Sequence, residues 1–123
     1  MGMYTELIFK ARLIDDAPEE VVNIVNFLFS GKLAPKHLPT PDHKFFNCPR
    51  WTQVGNSSSF YHIPIASSVV YDNYIFSRSD LKNYDNEIEL FLDWINPYLD
   101  NFTGDCIGWT WYEEDMAPTL IYK

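Results

Sequence analysis

From Met3 to Ile14 the side chains alternate in character. Met3, Thr5, Leu7, Phe9, Ala11 and Leu13 fall on one side, and Tyr4, Glu6, Ile8, Lys10 and Arg12 on the other. A period of two over this length predicts a strand with one buried face. A face of that kind must be covered by a second layer. The pattern changes at Asp15-Asp16-Ala17-Pro18-Glu19. Asp16 can accept from the amide of Glu19, the Glu19 carboxylate can reach back, and Pro18 suits a first turn. A helix is expected next, with Val21, Ile24, Val25 and Leu28 on one stripe widened by Val22 and Phe29, and with Gly31 as its stop.

Prolines at 35, 39, 41 and 49 exclude a helix or a central strand over about 32–59. Leu38, Phe45, Phe46, Trp51 and Val54 still need burial, so this stretch is expected to wrap over the domain as a long ordered loop. Strands are predicted at Phe60–Ile65, Ser67–Tyr71 and Tyr74–Arg78, the last two joined by a tight turn at Asp72-Asn73. A second helix follows from Asn83-Tyr84-Asp85, with Ile88, Phe91, Leu92 and Ile95 inward and Glu87, Glu89 and Asp93 outward, up to Pro97. A closing hairpin joins Cys106–Tyr112 to Thr119–Tyr122. Trp109 and Trp111 share a strand face with Ile107, and packing under the helices is their ordinary role.

The expected fold class is α+β in a single domain over 1–123: an antiparallel or mixed sheet with two helices on one face. Its element order allows two βαββ units, with a ferredoxin-like sandwich plus an added edge strand as the alternative. The 46% hydrophobic and 17% aromatic content supports a real core and excludes disorder. No apolar run reaches the length of a membrane span. Glu6, Lys10 and Arg12 interrupt any signal-peptide pattern, so a cytoplasmic protein is expected. Cys48 and Cys106 are then read as free, buried thiols.

The charge is one-sided. Residues 1–71 hold six acids and six bases, whereas 72–123 hold eleven acids and three bases, which accounts for the whole net −8. That balance argues against direct nucleic-acid binding and against an anionic membrane surface. The acids Asp80, Asp85, Glu87, Glu89 and Asp93 ride the second helix and its approach, and Glu113, Glu114 and Asp115 mark the last turn. Acids in a first helical turn also suit the helix dipole. As a surface, these eight residues would receive a protein partner with a basic face. Exposed tyrosines, among Tyr61, Tyr71, Tyr74, Tyr112 and Tyr122, would serve such a surface as anchors.

Catalytic and cofactor motifs are weak. His37, His43 and Cys48 lie near one another but lack a fourth ligand and a standard pair spacing, so neither metal nor cofactor is expected. A Cys–His nucleophile, Cys48 with His43 or His62 or else Cys106 with His62, has no glycine-tight turn or helix start to position its thiol.

Several stretches carry a resemblance: Tyr4–Phe9, Ala17–Val22, Ser77–Glu89, Phe91–Leu99 and Tyr112–Thr119. Together they resemble a group of small acidic proteins encoded by phages, prophages and assorted bacteria, mostly without assigned function. The likeness covers the N-terminal third and the C-terminal half. It implies an accessory protein that binds host or mobile-element machinery.

The leading expectation is a non-enzymatic binding module, an inhibitor of a host defence or nucleic-acid-handling system. One alternative is an immunity protein that neutralises a toxin. Another is a ligand binder or enzyme with a cleft under the 32–59 loop, walled by Trp51, Tyr61 and His62. Either a monomer or a homodimer through an edge strand is compatible with the sequence.

Overall fold

A computed structural model describes residues 3–30, 38–55 and 68–123. The alternating segment forms strand β1 (Thr5–Arg12), with Leu7, Phe9 and Ala11 buried on its inner face. Helix α1 (Glu19–Ser30) follows and buries Val21, Ile24, Val25, Leu28 and Phe29, the stripe expected from its spacing. Its start differs from the expected capping box. The Pro18 carbonyl accepts from the amides of Val21 and Val22, so Pro18 rather than Asp16 is the capping residue. Gly31 and the strand predicted at Phe60–Ile65 lie outside the described residues.

Strand β2 (Ser68–Tyr71) and strand β3 (Tyr74–Leu81) form a hairpin through Asp72 and Asn73, both at positive φ (49° and 66°). That is the two-residue geometry suited to the twist of paired strands. Helix α2 (Glu87–Ile95) leads through a 3₁₀ turn at Asn96–Tyr98, containing Pro97, to strand β4 (Cys106–Tyr112) and strand β5 (Thr119–Tyr122). The Asn83 side chain caps α2, its Oδ1 accepting from the Ile88 amide at 2.8 Å.

The five strands make one antiparallel sheet in the order β2-β3-β1-β4-β5. The first four strands with the two helices follow the β-α-β-β-α-β order of a ferredoxin-like sandwich, and β5 is the added edge strand. Phe9 on β1 touches both Phe29 of α1 (6.3 Å between ring centroids) and Phe91 of α2 (5.2 Å), so both helices cover the same face. Residues 38–55 extend that layer. Phe45 and Val54 are fully buried in the core, and Leu38, Phe46 and Trp51 pack partly against it.

Strand β4 departs from simple alternation. A bulge between Cys106 and Gly108 shifts its register against β5. Ile107 therefore joins the core, whereas Trp109 and Trp111 pair with Ile8 and Glu6 on the opposite face. The expectation that the tryptophans pack under the helices is thus corrected by one extra residue in the strand. Gly108 makes the bulge possible. It has φ +148°, and a Cβ there would overlap the backbone carbonyl of Ile8. Gly108→Ala is expected to cost at least about 3 kcal/mol, read as a lowered thermal midpoint or loss of cooperative unfolding.

Candidate functional site

With both helices on one side, the outward positions of the strands form a sheet face that neither helix covers. Tyr71 (78% exposed), Tyr74, Phe76 (51%), Trp111 (40%), Leu120 and Tyr122 all stand on it. The strand registers place them there: Val69 pairs with Phe76, Tyr71 with Tyr74, Trp109 with Leu120 and Cys106 with Tyr122. Exposed apolar side chains gathered on one face, here from β2, β3, β4 and β5, are typical of contact surfaces. Toward one end the face holds a groove of about 500 Å³, with Val69, Tyr71, Tyr74 and Phe76 beside Lys10 and Arg12. Arg12 lies 5.4 Å from the Tyr74 ring centroid and pairs with Asp15 (2.8 Å) and Asp100 (2.9 Å). The hydrogen bond it donates to Asp15 is the chief reason its pKa is raised, against a smaller opposing effect of desolvation.

The acids identified in the sequence separate by environment. Asp80 is a correction: it lies on β3, not on the helix, and is 4% exposed, with its carboxylate 2.9 Å from the Arg78 guanidinium. Glu87 is another. The first turn of α2 turns its side chain inward, leaving it 1% exposed, and neither carboxylate oxygen has a hydrogen-bond partner among the described residues. Glu89 is exposed and accepts from the Asn83 side chain at 3.0 and 3.2 Å. Asp93, also exposed, meets His43 at 2.9 Å. Asp85 is exposed at the approach to α2.

Glu113, Glu114 and Asp115 occupy the β4–β5 turn, where Glu113 accepts from the Tyr4 amide at 2.7 Å. Nearby Tyr112 has its hydroxyl pKa raised, first by burial and then by Glu114 and Glu113. The eight acids therefore do not form one surface. Glu89 and Asp93 belong to the helical layer, and the turn acids to an end of the sheet.

The alternative cleft is represented here by Trp51 alone, since Tyr61 and His62 lie outside the described residues. Trp51 packs edge-on against Phe27, Phe45 and Phe46, which gives it a structural role in holding the 38–55 segment. His43 uses both ring nitrogens. Its Nδ1 accepts from the Phe45 amide at 3.0 Å, which leaves Nε2–H to donate to Asp93. Cys48 is buried, with its thiol facing the Lys44 and Asp85 carbonyl oxygens, so it makes no dyad with His43. Cys106, expected to be buried, is exposed because it stands on the open face before the bulge. Among the described residues no three His, Cys, Asp or Glu side chains converge as metal ligands, and no helix is long and apolar enough to cross a membrane.

No protein-family model, curated protein or solved structure matches the chain. The open face and its acidic turns therefore carry the functional reading on their own physical terms. Sequence reasoning singled out Tyr71, Tyr74 and Tyr122 but passed over Phe76 and Leu120. The alternation of Tyr74 and Phe76 with Ile75 and Ser77 was the available signal.

Two measurements check this arrangement. Burial, with Glu87 and Asp85 adding to it, pushes the Cys48 thiol up. A thiol reagent at neutral pH should label Cys106 rapidly in the folded protein and Cys48 only on unfolding. The raised value belongs to the folded state. Its contribution to stability is thus present below the ordinary thiol pKa and is lost as the pH rises through the folded one. Separately, an unpartnered buried carboxylate is costly, so Glu87→Met should stabilise the fold by about 1–3 kcal/mol, seen as a higher thermal midpoint.

Proposed function

We propose that this protein is a protein-binding module that docks a partner on the sheet face opposite both helices. The carrying observation is the exposed aromatic array, including Tyr71, Tyr74, Phe76 and Trp111, on the side of the sheet opposite both helices. Large aromatic side chains on strands lose little conformational freedom on contact and serve as anchors in interface centres. Charge defines the partner. Exposed acids stand at both ends of the face, Asp72 and Asp105 at one and Glu113, Glu114 and Asp115 at the other, in a chain of net charge −8. A partner with an apolar centre flanked by lysine or arginine complements this pattern, and long-range attraction would speed its encounter.

The resemblance to small acidic phage and prophage proteins favours an inhibitor of host defence or nucleic-acid-handling machinery, and that role is part of the proposal. Inhibition would be by occlusion: the sheet face would cover the partner's basic site and exclude its normal ligand.

Affinity capture from bacterial lysate tests the reading with three baits: the natural chain, Tyr74→Ser/Phe76→Ser, and Glu89→Lys/Asp93→Lys. The expected result is a basic protein held by the first and third baits, lost from the second and released by moderate salt. Loss from the third bait alone would move docking to the α2 acids. Identical capture on all three would remove the sheet face from consideration.

A further inference from the structure

The exposed apolar side chains of the open face fall into two groups. Tyr71, Tyr74 and Phe76 stand on β2 and β3, and Trp111, Leu120 and Tyr122 stand on β4 and β5. Strand β1 lies between the groups, so a partner that covers both must pass over its outward residues, Lys10 among them. We infer, on the docking reading above, that the partner carries one carboxylate, an aspartate or glutamate side chain, placed inside its apolar centre to meet Lys10.

The other basic groups of this face are already engaged. Arg12 pairs with Asp15 and Asp100, and Arg78 with Glu6 and Asp80. Lys82 stands over the rings of Tyr4 and Tyr84 at 6.0 and 5.9 Å. Lys10 is exposed and has no ion pair among the described residues. Its partner in register on β3 is Phe76, which in turn pairs with Val69. Along β1 its neighbours on the same face are Ile8 and Arg12. It lines the groove of about 500 Å³ together with Asp105. The Asp105 carboxylate forms no ion pair with Lys10, and its Oδ2 accepts from the Phe102 amide at 2.9 Å.

Desolvation selects the occupant. In the free protein, water solvates the Lys10 ammonium. Docking over both apolar groups strips that water away, and an ammonium left without a counter-charge is costly to bury. A carboxylate opposite it turns the cost into attraction, because the surroundings are then poorly screened. A hydroxyl or carbonyl oxygen would meet the hydrogen bonds but not the charge. A purely basic partner surface would repel Lys10 at the centre even while it matched the acids at both ends of the face. One acid inside a basic rim therefore separates the true partner from basic proteins in general.

An NMR titration of the full chain with the capped tripeptide Phe-Asp-Phe tests the assignment, with capped Phe-Asn-Phe as the neutral isostere. At neutral pH the aspartyl peptide should shift the Lys10 side-chain signals and the Tyr74 and Phe76 rings saturably. It should bind at least about threefold more tightly than the asparaginyl peptide. Lys10→Met should remove that preference, and Asp105→Asn should leave it in place. Equal affinities, no saturable shift from the aspartyl peptide, or a preference that survives in Lys10→Met would overturn the inference. So would a preference seen only in Asp105→Asn, because the ammonium would then belong to Asp105. The docking reading fails separately. Capture lost with Tyr74→Ser/Phe76→Ser while the two peptides bind alike would leave docking standing without the acid. A Lys10-dependent preference with capture unaffected by that variant would reverse that result.

Discussion

The ring of Phe9 sits where three elements meet, and much of the architecture follows from that contact. It stacks at 21° against Phe29 and meets Phe91 edge-on at 80°, while Phe29 and Phe91 touch each other at 5.7 Å. Offset and edge-to-face arrangements of this kind add to the gain from burial. Phe45 extends the cluster by contacting Phe91 and Trp94, which ties the 38–55 segment to α2. Because β1 is the central strand, a single inward side chain binds both helices to the middle of the sheet. The cost of this economy is one-sidedness. Both helices lie over Phe9, and the face of β1 that carries Lys10 points away from them.

The charges follow the same division. Arg78 on the open face is flanked by Glu6 and Asp80 and binds them into a compact ionic cluster between strands. Arg12 does the same toward the other end with Asp15 and Asp100. The Arg12 pairs, each with an exposed carboxylate, contribute little stability individually, whereas the Arg78–Asp80 pair has one partner almost wholly shielded from water. They do fix the positions of long side chains beside the aromatic rings. The outcome is a face whose polar groups are largely pre-arranged, so less ordering remains when a partner arrives.

Much of this fold was legible in the sequence. The period of two in β1, the apolar stripe of α1 and the Asp72-Asn73 turn each carry a local signature, and the structure realises all of them. The misreadings have a common origin in tertiary context. Glu87 has the composition of an exposed first-turn acid, but its position on the helix directs it inward. Trp109 and Trp111 have the composition of core residues, but a bulge reverses their side. Asp80 was grouped with helix acids because it precedes them in the chain, whereas it belongs to a strand and its partner is two residues away. Local pattern gives element type well. It does not give the phase at which an element meets its neighbours, and the candidate site consists almost entirely of phase.

The bulge at Ile107 therefore has an evolutionary meaning. It is the surplus residue between the pairs Cys106–Tyr122 and Gly108–Ile121. Losing Ile107 would join those pairs into regular alternation, leaving Trp109 and Trp111 on the open face while the core lost one side chain. Losing a residue from Trp109 onward would instead exchange the inward and outward sets beyond it. Substitutions along β4 would alter the face gradually, whereas a single-codon deletion would be absorbed at the bulge and, beyond it, would reverse the face.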